Sequence, residues 1–237
     1  MSSCFRKGDE RVWMSNASAE LHLEEWRAAL SRSGARTTPE GRVLEASFTR
    51  RLESGLYDVD FADAELEEES VRRLLSRLVR ELAQDVVSAA AGAAPRASLE
   101  FLAGHETRWR AAWVSWERAL VGWLADAPLS IPEPLDTASR TFELSARARY
   151  ASREGTRAEE AALRREVCDL LSQVTDFVGP DLVRDELLTL ADIEEALGNL
   201  RLAALRTRAA AELCRDPEER RLALETAALR EAYALEG

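Results

Sequence analysis

The chain has 237 residues, 46% of them hydrophobic, and a net charge of −11. That length accommodates one large or two small domains, and the acid excess excludes a general nucleic-acid binder or a partner of anionic membranes, since each needs a basic face. Ile occurs only at Ile131 and Ile193, Lys7 is the only lysine, and the dominance of the helix formers Ala, Leu, Arg and Glu predicts an all-α fold.

Residues 1–16 carry little periodic pattern and lack the apolar stretch of a signal peptide, so a loose arm is expected there. No apolar run approaches the roughly 18 residues that span a bilayer. Cys4, Cys168 and Cys214 are far apart and form no CxxC pair, which points to a reducing cytoplasm. Cys168 and Cys214 sit in Leu- and Ala-rich stretches and read as buried small hydrophobes.

The helices follow from their caps. The first is expected over 18–32, with Leu21, Leu23, Trp26 and Leu30 inward. Thr38 as N-cap and Pro39 at the first helical position open the second, which ends at Gly55. An acidic connector feeds a long helix over 63–90, and Pro95 makes the break after it. A fourth helix covers 98–126. The segment 127–136, "APLSIPEPLD", holds three of the seven prolines and reads as a stiff linker. Beyond it, helices are expected over 137–154, from a capping box at Thr156 and Glu159 up to Gly179, over 181–197, over 200–214, and from a second capping box at Asp216 and Glu219 onward. The last carries Leu222, Thr226, Leu229 and Tyr233 as its apolar positions. The architecture is an antiparallel helical bundle or helical-hairpin array of about nine helices. It has an N-terminal domain over 17–126 and a C-terminal domain over 137–237.

The fourth helix contains "RWRAAWVSWERALVGW", with four of the six tryptophans. Leu102, His105, Trp109, Trp113, Trp116, Leu120 and Trp123 fall along one stripe of it, opposite Arg110, Glu117 and Arg118. Each Trp buries about 150–250 Å², so the stripe is read as the core spine of the first half. An exposed docking face is the alternative, for which Trp113 and Trp116 would share one open patch. His105 continues the stripe and is expected to bond an indole or a carbonyl.

At 184–217, "LLTLADIEEALGNLRLAALRTRAAAEL" resembles a tetratricopeptide repeat, a helix–turn–helix unit of about 34 residues. Leu187, Leu190 and Ala191 match its first helix, Gly198 its turn, and Ala203 and Ala210 its second helix. Glu194 and Thr207 depart from the pattern, standing where the family prefers aromatics, and Pro217 falls two places late. The resemblance covers one unit and implies a groove face on the first helix, formed by Asp185, Leu188, Asp192 and Glu195. Such a face attracts a basic peptide or helix; a solvated acidic surface is the plainer alternative.

Catalytic residue types are scarce. His22 and His105 are the only histidines, and no Ser/His/Asp order, glycine-rich phosphate loop or HExxH is present. Glu-x-x-His spacing is missing too, because Ala19 precedes His22 by three and Leu102 precedes His105 by three. The connector 58–69 packs seven carboxylates into twelve positions. Phe61 and Ala62 interrupt its alternation and no turn glycine follows, so a calcium loop is not expected. Asp63 and Glu65 are expected to cap the long helix. "RRLLSRLVRE" reads as a salt-bridged surface.

No cofactor, metal or catalytic site is therefore expected. The best-fitting class is a non-enzymatic cytoplasmic helical protein–protein interaction module: an adaptor, scaffold or chaperone. An acidic inhibitor of the immunity-protein or antitoxin type is the alternative, with Asp58, Asp60 and Asp63 covering a basic cleft. A small helical ligand-binding protein or enzyme built on the Trp face is the second. In the first two readings the partner is another protein, one with a basic surface in the inhibitor case.

Overall fold

The first sixteen residues form no loose arm. Strand β1 (Ser2–Lys7) pairs antiparallel with β2 (Glu10–Ser15) from Ser2 opposite Ser15 to Lys7 opposite Glu10. Side chains alternate across the ladder, so Phe5 faces Val12 and Ser3 faces Met14 on the buried side. A two-residue turn closes it, with Gly8 at φ +62 taking the left-handed position that glycine adopts most readily. The chain is thus mostly helical but not all-α. A third, two-residue strand, β3 (Val59–Asp60), lies parallel beside β1 and gives the order β2-β1-β3.

The computed structural model describes residues 2–89, 107–133 and 135–236, with backbone alone at 83–89, 107–114, 176–177 and 236. Its helices are α1 (Asn16–Arg32), α2 (Pro39–Ser54), α3 (Ala64–Glu67), α4 (Glu69–Ala89), α5 (Thr107–Leu124), α6 (Leu135–Glu154), α7 (Arg157–Leu171), α8 (Thr175–Val178), α9 (Pro180–Ala196), α10 (Leu200–Leu213) and α11 (Pro217–Glu236). Three N-cap bonds read from the sequence are present. Thr38 Oγ1 accepts from the Gly41 N–H at 3.1 Å, Thr156 Oγ1 from Glu159 at 3.2 Å, and the Asp216 carboxylate from Glu218 at 2.7 Å. Gly41 is required for another reason: a Cβ there would lie 1.9 Å from the Ala35 carbonyl, where the preceding turn crosses α2. Asp63 does not cap with its side chain, because its carboxylate is turned to Arg51.

The chain divides into two compact units, 1–139 and 140–237. In the first, Trp26 is 1% exposed and ringed by Phe5, His22, Phe48 and Phe61, with centroids 5.5–6.4 Å away. Trp116, Leu120 and Trp123 of α5 join this core, and Trp123 meets Phe61 edge to face at 5.3 Å. Leu102 and His105 lie outside the described residues, as do the side chains of Trp109 and Trp113. Among the described residues, His22 bonds an indole: its Nε2 accepts from Trp116 Nε1 at 3.2 Å. The segment 127–136 is not a free linker. Leu129 and Ile131, set between its prolines, and Leu135 after them pack on the first core, and the unit boundary falls inside α6.

Two charged side chains tie the hairpin to the end of α5. Lys7 donates to the Trp123 carbonyl at 2.5 Å and pairs with Asp126 at 2.6 Å, placing its positive charge at the negative end of the helix dipole. Glu10 accepts from the Leu129 N–H at 2.9 Å and from Trp123 Nε1 at 2.7 Å. These bonds, the backbone one foremost, hold its carboxyl below the ordinary glutamate range. A carboxyl lowered by folding stabilises at pH above its unfolded value and loses that contribution as pH falls through the folded one. Glu10→Gln is therefore expected to lower the urea midpoint at neutral pH, with the gap to wild type closing in acid below the glutamate range. A gap of constant size from neutral pH into that range would rule this linkage out.

In the second unit, Leu144, Val167, Leu171, Val183, Leu187, Leu190 and Ile193 form the core, with alanines where helices approach closely. Cys168 is buried there and its thiol is pushed up to about 12, chiefly by desolvation, while Cys214 is only half-buried, at the end of α10.

Candidate functional site

Three surfaces gather the residues that could meet a partner. The first is a groove of about 390 Å³ on the outer face of the sheet. Alternation along β1 and β2 turns Cys4, Arg6, Arg11 and Trp13 toward it, and β3 with its flanks adds Asp58, Asp60 and Asp63. The three aspartates expected to bind a partner are brought together, but each has an internal role. Asp58 accepts the Cys4 N–H at 2.6 Å, Asp60 takes Arg6 at 2.7 Å and its own Ala62 N–H at 2.9 Å, and Asp63 takes Arg51 at 3.2 Å. Arg51 is itself buried, donating to the Asp58 carbonyl and to Ser47, and desolvation pulls its pKa down. The acidic connector is thus drawn onto the fold by arginines, which lowers the charge left for a basic cleft.

The second is the outer face of α9. Asp185 is held by Arg184 at 2.9 Å, and Leu188 is half-buried on the second core. Asp192 and Glu195 both take Arg230, at 2.7 and 2.6 Å, which arrives from α11. Arg230 is largely buried; desolvation works against its charge, but the two carboxylates more than offset this and hold its pKa above the ordinary value. The two positions that depart from the repeat pattern are wired in the same way. Thr207 donates to the Ala203 carbonyl and accepts from Arg230, and the fully buried Glu194 accepts from Arg165 and Asn199. Hydrogen bonds take the place of the aromatic packing that the resemblance implies.

The third surface was not anticipated. Among its described side chains α11 buries only Ala227 and Arg230, and it leaves Leu222, Leu229 and Tyr233 at 50, 60 and 61% exposure. Leu224 and Leu235 are also exposed, on another side of the same helix, as are Leu202 and Leu205 on α10. Ala203, Ala204, Ala210 and Ala211 of the neighbouring α10 are buried, and on α11 the small strip Ala223, Ala227 and Ala234 turns inward while the large side chains turn out. All exposed large hydrophobics described, apart from Leu56 and Tyr150, lie between Leu182 and Leu235.

Elsewhere, Arg72, Arg73, Arg77 and Arg80 line an open groove along α4, where Glu69, Glu81 and Asp126 pair with the first three, as expected of a salt-bridged face. Among the described residues no cluster of three His, Cys, Asp or Glu side chains could hold a metal ion, and no helix is long and apolar enough to cross a membrane. No family model, curated protein or solved structure matches this chain.

Proposed function

We propose that this chain is a non-enzymatic helical protein–protein interaction module that docks through the exposed apolar side of its last helix. The observation that carries the reading is α11, whose inward strip is small and whose leucines and tyrosine face solvent. A helix with apolar residues on several sides is ordinarily covered by protein, and contiguous exposed apolar surface marks a binding site. The acidic-inhibitor reading has less support, because Asp58, Asp60 and Asp63 already serve internal bonds.

Affinity capture from the native host, with wild type and Leu222→Glu/Leu229→Glu compared side by side, tests it. The captured set is expected to be lost with the glutamates and retained with Asp58→Asn/Asp60→Asn/Asp63→Asn. Retention in the first variant and loss in the second would reverse the assignment in favour of the acidic groove.

A further inference from the structure

We infer that a second copy of this chain covers the Leu222–Leu229–Tyr233 side of α11, as an antiparallel helix pair about a two-fold axis; this rests on the docking reading above. Leu222, Thr226, Leu229 and Tyr233 are spaced four, three and four residues apart, the spacing of a seam along which one helix packs lengthwise on another. Apart from Thr226 these are large apolar side chains, and Leu222, Leu229 and Tyr233 are each at least half exposed.

The charges beside the seam favour a partner of the same kind. Arg221 is gripped by Glu218 and Glu225, both at 2.5 Å, and Arg208 pairs with Glu231 at 2.5 Å. Because these charges are matched within one chain, a strongly basic or acidic partner gains little here, whereas an equally apolar strip gains by burial. A second copy supplies such a strip, and an isologous contact uses it twice. In the antiparallel arrangement Leu222 lies opposite the partner's Tyr233 and Thr226 opposite the partner's Leu229. A parallel pair would instead set Glu218 and Glu225 level with their counterparts and align the two helix dipoles.

The area is small. From Leu222 to Tyr233 the seam is about 17 Å long, so the contact falls below the roughly 1,200 Å² of stable interfaces and belongs with weak, reversible ones. Association in the range of tens to hundreds of micromolar is the matching expectation.

Sedimentation velocity on the full chain, from about 1 to about 200 µM, tests this. The mass is expected to rise from 26.4 kDa toward twice that value. Leu222→Glu/Leu229→Glu should weaken association by roughly tenfold or more with the helical circular dichroism unchanged, and Thr226→Leu, which fills the seam, should strengthen it several-fold. A wild-type chain that stays monomeric, or a dimer indifferent to all three substitutions, would overturn the inference. The two failures are separable with a dye that reports exposed apolar surface. A monomer whose dye binding is lost in Leu222→Glu/Leu229→Glu removes the second copy and leaves the docking face. A monomer with no such dye binding removes both.

Discussion

Replacing Arg164 by alanine is expected to destabilise the second unit by about 3–5 kcal/mol, read from urea unfolding. Arg164 of α7 donates from Nε to Glu160 at 3.0 Å and from Nη1 to Glu186 of α9 at 2.5 Å. All three side chains are close to one-tenth exposed, at 11, 8 and 13%. Burial alone would discourage the guanidinium charge, yet Glu186 and Glu160 hold its pKa above the ordinary arginine value. Removing it leaves two sequestered carboxylates, with Arg149 near Glu186 as the counter-charge that remains. The cost comes from that stranded pair and not from the bond count, so replacing all three residues by leucine should recover most of the loss. An alanine variant within about 1 kcal/mol of wild type would show that water reaches the site and screens the carboxylates.

Trp123→Ala is expected to cost a similar amount in the first unit, about 3–5 kcal/mol. The indole is fully buried, stacks edge to face on Phe61, and donates to Glu10. Alanine removes the ring, opens a cavity and leaves Glu10 with the Leu129 N–H alone. Trp123→Phe keeps most of the volume and deletes the indole N–H, so a smaller loss of about 1–2 kcal/mol is expected. Equal losses for the two variants would mean that the hydrogen bond, and not packing, dominates at this position. Urea titrations followed by circular dichroism compare them without relying on the altered fluorophore.

Much of the helical framework was legible because helix ends are local chemistry. Thr38, Thr156 and Asp216 bond to amides two or three residues away, within reach of their own stretch of chain, whereas Asp63 is drawn off its helix end by Arg51. The hairpin was legible in principle, since Val12 and Met14 recur at every second position after Gly8, as Ser3 and Phe5 do before it, but Trp13 breaks the polar alternation and the composition of the whole chain argued against strands. β3 had no signal of its own: two residues carry no period, and they become a strand only because β1 is beside them. The candidate site divides in the same way. That Asp58, Asp60 and Asp63 share a surface was legible from their spacing. That Arg6 and Arg51 bind two of them was not, because Arg6 lies 54 residues from Asp60 in the chain. Of the tryptophan stripe, Trp116, Leu120 and Trp123 are buried in the first core, and His22, the partner of Trp116, comes from 94 residues earlier.

Helix α11 shows where sequence periodicity stops being decisive. Its apolar positions fall on more than one side, Leu222, Leu229 and Tyr233 on one and Leu224 and Leu235 on another, so spacing alone points to the leucine-rich sides as the core faces. The fold buries the other side. Ala223, Ala227 and Ala234 lie on the inward side, and Arg230 of that side reaches Thr207 on α10 and Asp192 and Glu195 on α9. Cap residues and charge are properties of one stretch of chain, so they are present before any helix meets another. Which face a helix covers depends on the side chains of its neighbour, and that exists only once the helices have packed.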